Sequence, residues 1–127
     1  MCLNCSINTE SQTMRLSTLI LLFPLALSAQ AADMDGKALY QENCVACHGA
    51  SGKGGTDGIK GPRLVGDAST WSSKLFVRAV LEGKDDEGRA LKSPMPHWKD
   101  ASFKSDAGKQ PTKLEVEAIL KYLKAIK

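Results

Sequence analysis

Aromatic side chains are scarce in this 127-residue chain, with three Phe, two Trp and two Tyr. A core filled by rings alone is therefore excluded. Histidine is scarcer still, with His48 and His97 only. The chain also lacks a charge excess: 17 Lys and Arg face 14 Asp and Glu, a net +3. That balance argues against a nucleic-acid binder, which would carry a strongly basic face. No apolar run is long enough to span a bilayer. The longest, Leu16 to Leu27, falls short of the ~20 residues required and is interrupted by Pro24. Glycine clusters between residues 49 and 61. No strand precedes that cluster, so its G-x-G spacing is not a dinucleotide fingerprint.

The short apolar run reads as an address. Arg15 supplies a positive start, Leu16 to Leu27 the apolar centre, and Ala29-Gln30-Ala31 a small-x-small cleavage signal. We expect translation to start at Met14 and cleavage after Ala31. Residues 1–31 are then extension plus secretory signal, and residues 32–127 form one small domain. Cys2 and Cys5 leave with the leader. No cysteine follows the apolar run, so no lipid-attachment pattern is present. Two cysteines remaining behind an export signal suit the oxidising periplasm. Stable membrane insertion after cleavage is not expected.

Those two cysteines organise the chain. They stand in Cys44-Val45-Ala46-Cys47-His48, a C-x-x-C-H sequence that reads as a c-type haem attachment site. Each thiol can add to one haem vinyl group. The two-residue spacing lets one helical turn span the macrocycle edge. The next residue, His48, then falls beneath the iron as a proximal ligand. A thioredoxin-like redox pair would need a preceding strand and a βαβ setting. A zinc site would need two further ligands, and His97 is the only other histidine. One covalently held haem also supplies the broad flat apolar surface that the sparse aromatic content does not.

Around this motif the pattern is helical. Residues 34–47 read as a first helix, capped by Asp33 or Asp35, with Gly36 and Tyr40 on one face. Glycine there costs about 1 kcal/mol of helix stability. A closely crossing helix would justify it; a frayed first turn is the plain alternative. Gly49 to Gly61 reads as a flexible loop, either around a cofactor edge or on the surface. Pro62 follows, where a backbone carbonyl can take the Nδ1 hydrogen of His48. Residues 71–82 read as a second helix whose stripe is Leu75, Phe76, Ala79 and Val80. Lys84 to Arg89 is a charged turn. Residues 99–111 read as a polar loop with one helical turn near residues 101–104. A last helix follows from Lys113 to about Ile126, capped by Thr112 and Glu115. Its expected stripe is Leu114, Ala118, Ile119, Tyr122 and Leu123.

Met95 lies between Pro94 and Pro96, 47 residues after His48. Alone, it reads as a core filler. After C-x-x-C-H and between two stiff residues, it reads as a thioether ligand on the far side of the iron, which raises the reduction potential. His97 is a rival and would lower it.

C-x-x-C-H, then Gly61-Pro62-x-Leu64-x-Gly66, then a proline-flanked methionine and a C-terminal amphipathic helix, together resemble a small class I cytochrome c. The resemblance covers residues 33–127. It implies an all-α fold of three to four helices wrapped round one haem c, with crossed first and last helices. Gly36 and Tyr40 would meet Ile119 and Tyr122 at that crossing, and Pro62 would accept from His48. It implies Cys44, Cys47, His48 and Met95 as haem-binding residues, with His48 and Met95 on the metal, and favours Met95 over His97. The implied function is single-electron transfer between redox partner proteins, without catalysis. Lys53, Lys60, Lys92 and Lys99 are candidate docking cations for an acidic partner. A peroxidase-like haem enzyme, a gas or redox sensor with a labile sixth site, and a cytochrome subunit of a periplasmic dehydrogenase or oxidase are the alternatives.

Overall fold

The computed structural model describes residues 33–56 and 58–126. The leader, Met14, Cys2, Cys5 and the cleavage site lie outside the described residues. Among those described, helices and turns make up the fold and no strand forms. None of these helices is long and apolar enough to cross a membrane.

Helix α1, Gly36–Asn43, starts at Asp35, whose side chain accepts from the backbone N–H of Lys37 and Ala38. Asp33 is not the cap; it faces Lys121 at the surface. The expected single helix through residue 47 is broken. Asn43 explains the break, because its side chain does two other jobs. Its Nδ2 donates to Leu39 O at 2.9 Å, and its Oδ1 accepts from Lys104 N at 3.0 Å. Such side-chain bonds compete with the helical ladder. A separate turn, α2, Val45–His48, follows.

Helix α3, Ser73–Glu82, is capped by Ser72 and stopped by Gly83 in the left-handed region. It buries Phe76, Ala79 and Val80 as expected. Helix α4, Lys113–Ala125, opens with a reciprocal capping box between Thr112 and Glu115. Its buried stripe is Val116, Ile119, Leu120 and Leu123, and Leu114 is 64% exposed. The i, i+3, i+4, i+7 register therefore begins at Val116: Ile119 and Leu123 are buried as expected, Ala118 and Tyr122 are half-buried against the core, and Leu114 leaves the stripe. The polar stretch 99–111 also holds a core residue. Phe103 is buried and meets Trp98 edge-on, with ring centroids 4.8 Å apart. The short helical turn there spans Trp98–Asp100 rather than residues 101–104.

Helices α1 and α4 cross at Gly36. A Cβ on that residue would overlap the carbonyl oxygen of Ala118, so only glycine permits the approach. Tyr40 packs beside Tyr122, with centroids 5.5 Å apart, and Ile119 is buried. This all-α arrangement of crossed terminal helices leaves α2, α3 and the segment before Trp98 to enclose a cavity.

Candidate functional site

The cavity has a volume of about 710 Å³, within the ~300–1,000 Å³ common for cofactor sites. Cys44, Cys47 and His48 form one wall, with Gly61, Pro62 and Leu64 beside them. Phe76, Ala79 and Val80 of α3 form another, and Ile119 of α4 reaches it. Pro94, Met95 and Trp98 complete the lining. Cys44, Cys47 and His48 of one five-residue motif and Met95, 47 residues further on, therefore share one mainly apolar chamber.

The histidine is set by its neighbours. His48 is 6% exposed, and its Nδ1 lies 2.9 Å from the carbonyl oxygen of Pro62. A carbonyl accepts only from a protonated nitrogen, so this contact selects the Nδ1–H tautomer and leaves Nε2 for a metal. The glycine loop behind the ring, expected from composition to be a flexible connection, is closely bonded to the C-x-x-C-H turn. Gly61 N donates to Cys47 O at 2.7 Å, and Gly54 N to His48 O at 3.0 Å. A Cβ on Gly61 would lie 2.7 Å from Cys47 O and 2.9 Å from His48 Nδ1. The glycines are there because two backbone segments touch. Tyr40 ties the loop to α1 by donating to Gly49 O at 2.7 Å.

Cys44 and Cys47 are free thiols. Burial pushes the Cys44 thiol up to about 12, and neighbouring Cys47 adds to the shift. Thiol–disulfide exchange needs the opposite, a thiol of lowered pKa. Cys44 therefore lacks the lowered thiol pKa that marks redox-exchange cysteines. A zinc site is poorly supported too: among the described residues, no three His, Cys, Asp or Glu side chains gather as metal ligands.

Met95 is partly buried and lines the cavity; His97 does not line it. The imidazole of His97 lies instead against Gly83. The charged rim is mixed. Lys60, Arg63, Arg89 and Lys92 share it with Asp67, Asp85 and Asp86. Burial pushes the Asp85 carboxyl up, but hydrogen bonds and opposite charge from Arg89 outweigh it and hold it below the usual range. Of the four expected docking lysines, Lys60 and Lys92 reach this rim, while Lys53 and Lys99 are exposed away from the lining. Ile59, half exposed, was not anticipated and lies on the same rim. Its only sequence signal was an apolar residue in a glycine-rich loop.

Residues 31–123 match the family model described as cytochrome c oxidase, cbb3-type, subunit III. The chain is 36% identical over 97 residues to the cbb3-type cytochrome c oxidase subunit CcoP of Azospirillum sp. (strain B510), covering 65% of this chain and 30% of that protein. It is 44% identical over 68 residues to the dihydro-heme d1 dehydrogenase of Pseudomonas aeruginosa, covering 54% of this chain and 13% of that one. It is 29% identical over 91 residues to a cytochrome c-553-like protein of Synechocystis sp. (strain PCC 6803 / Kazusa), covering 72% and 66%. The chain spans less than a third of the first two relatives.

Proposed function

This chain is a c-type cytochrome of the cbb3-type oxidase subunit III family, a haem protein of electron transfer, and from that premise we propose that it carries one haem c bound through Cys44 and Cys47, with His48 and Met95 on the iron. The observation that carries this reading is the single cavity lined by all four side chains. When bound, the haem supplies one reversible Fe(II)/Fe(III) step. The protein's own residues do the rest. Pro62 O holds the His48 ring in one tautomer and one orientation. The apolar walls Phe76, Val80 and Ile119 exclude water and so favour the less charged state of the site. Met95, which lines the cavity, would as the second iron ligand close that position to small molecules, which favours a carrier over a peroxidase or a gas sensor.

The reading extends to location and partners. Residues 14–31 support export to the periplasm, with cleavage after Ala31 and a haem domain over residues 32–127. Docking is transient, at the rim where Ile59, Lys60 and Lys92 surround the cavity mouth. A second reading is favoured by the named relatives: the chain serves as the cytochrome portion of a larger oxidase or dehydrogenase assembly, passing electrons within it rather than diffusing between partners.

The test is the purified oxidised protein. Haem should resist extraction into acidic organic solvent, and the spectrum should show the weak far-red band of sulfur on ferric iron. Met95→Ala should abolish the band and admit cyanide quickly. A haem that extracts, or a band that survives Met95→Ala, overturns the assignment. Co-purification from the native source separates a free carrier from an assembly subunit.

A further inference from the structure

Gly83 has three roles at once. It ends α3, donating its N–H to Ala79 O at 3.0 Å with φ +66. Its carbonyl accepts from Leu91 N at 2.7 Å. Its α-carbon is covered by His97: a Cβ on Gly83 would overlap both Cδ2 and Nε2 of that ring. Gly83 is itself buried. The segment from Leu91 to His97 therefore begins and ends on one residue, and Met95 lies between the two attachments. Inside the segment, the backbone bond from Met95 N to Lys92 O is long, at 3.3 Å. The two prolines stiffen the segment locally, but hydrogen bonding within it is sparse, so contacts at its ends set where it sits. Ala79 and Val80, one turn before Gly83, line the same cavity as Met95.

We propose that the Gly83–His97 contact is a clamp that holds Met95 over the cavity, so that His97 is a positioning residue for the sulfur and not its competitor. The inference rests on the reading of Met95 as the far-side ligand. The physical argument is one of closure. Trp98, packed edge-on against Phe103, already holds the chain just beyond the segment; the His97 ring adds a tie one residue earlier, onto the same glycine that holds Leu91, so that the segment moves with α3. The imidazole acts by its flat bulk against a residue that has no side chain. The requirement for glycine is then twofold: a positive φ, and room for the ring.

The test uses the holoprotein: the far-red sulfur band and the rate of cyanide binding to the oxidised form report the methionine side, and Tm, read beside them, reports general destabilisation, which His97→Ala should move far less than it moves the other two. Cyanide binds only the open state, so its apparent rate follows that state's population. His97→Ala removes the plate and should weaken the band and speed cyanide binding by about tenfold. His97→Phe restores a flat ring without an ionisable nitrogen and should return both readouts towards wild type. Gly83→Ala drives a methyl into the ring and should reproduce the His97→Ala behaviour. In the double variant, Gly83→Ala with His97→Ala, the effects on cyanide rate should not add, because both break one contact. An unchanged band and rate in His97→Ala overturn the clamp. So do failure of His97→Phe to rescue, or additivity in the double variant. A wild-type protein with no sulfur band overturns the ligand assignment and the clamp with it, an outcome distinct from a wild-type band that His97→Ala leaves intact.

Discussion

The two sides of the cavity are built in different ways. Behind His48, chain meets chain through backbone: Gly61 N on Cys47 O, Gly54 N on His48 O, Gly55 N on Gly61 O, and Leu64 N on Gly52 O. Around Met95, few bonds cross the segment, and its ends rest on Gly83. The proximal side is thus fixed by many short local contacts, each hard to remove without rebuilding the loop. The distal side is fixed by a few contacts at its margins. Lability of the site should therefore arise on the methionine side, whereas loosening the His48 side should require changes that rebuild its loop.

The largest expected effect tests the rigid side. A Cβ at Gly55 would overlap Cys47 O and lie 3.0 Å from Ile59 O. Neither acceptor can yield without moving the backbone beside His48. Gly55→Ala should cost about 3 kcal/mol, as overpacked interiors do. Its distal counterpart, Gly88→Ala, adds a Cβ with nothing within 4 Å, at φ +82. That change carries only the left-handed backbone cost of ~1–2 kcal/mol. Chemical denaturation of both variants checks the contrast. Equal losses would mean the proximal loop can give, and the comparison would collapse.

A smaller effect is expected where α1 holds the proximal loop. Tyr40→Phe deletes the hydrogen bond to Gly49 O and should cost about 1 kcal/mol at neutral pH. The pH dependence gives a second check. Burial, then the neighbouring Cys44 and Tyr122, raise the Tyr40 phenol from 10.0 to about 12. Above pH 10 the unfolded chain releases this proton while the folded one keeps it. Stability from this group is therefore full below pH 10 and is lost as pH rises towards about 12. Tyr40→Phe should lack that loss, so the gap between wild type and variant should narrow across this window in thermal melts. A gap that widens with alkali would show that the phenol is not buried against the loop.

How far the sequence reveals this architecture depends on the kind of contact. C-x-x-C-H is legible because its chemistry is contiguous: thiols, spacing and imidazole sit in five adjacent residues. The Thr112–Glu115 cap is legible for the same reason. The Gly36 crossing is legible through the resemblance to class I cytochromes c, and through the cost of placing glycine in a helix. Contacts between backbones are not legible. The loop 49–61 shows its glycines but not that Gly55 and Gly61 press on Cys47, since no side chain reports it. The break at Cys44 is hidden because Asn43 binds Lys104, far along the chain. Phe103 is a single ring among polar neighbours and has no period to betray its burial. In α4, Leu114 matched a plausible stripe, and only packing shows that Val116 and Leu120 face inward. His97 was legible as a histidine near a candidate ligand, but not as a ring lying on Gly83.

The smallest expected effect concerns what holds the distal margin. The hairpin from Gly83 to Leu91 carries a visible ion-pair set, Arg89 with Asp85 and with Glu87, both at 2.8 Å. It is tempting to credit these charges with holding the wall next to Met95. The Arg89 side chain is 67% exposed, however, and water screens such pairs. Less conspicuous bonds are better placed. The Asp85 carboxylate accepts from the backbone N–H of Glu87 and Arg89, and the Arg78 guanidinium donates to the carbonyls of Asp85 and Asp86. Arg89→Ala should therefore leave Tm and the cyanide rate unchanged within error, at low and high salt alike. Asp85→Ala should lower Tm, because two backbone donors lose their acceptor. If Arg89→Ala instead speeds cyanide binding, and salt does the same to wild type, then surface charge rather than the Gly83 attachment governs the methionine side.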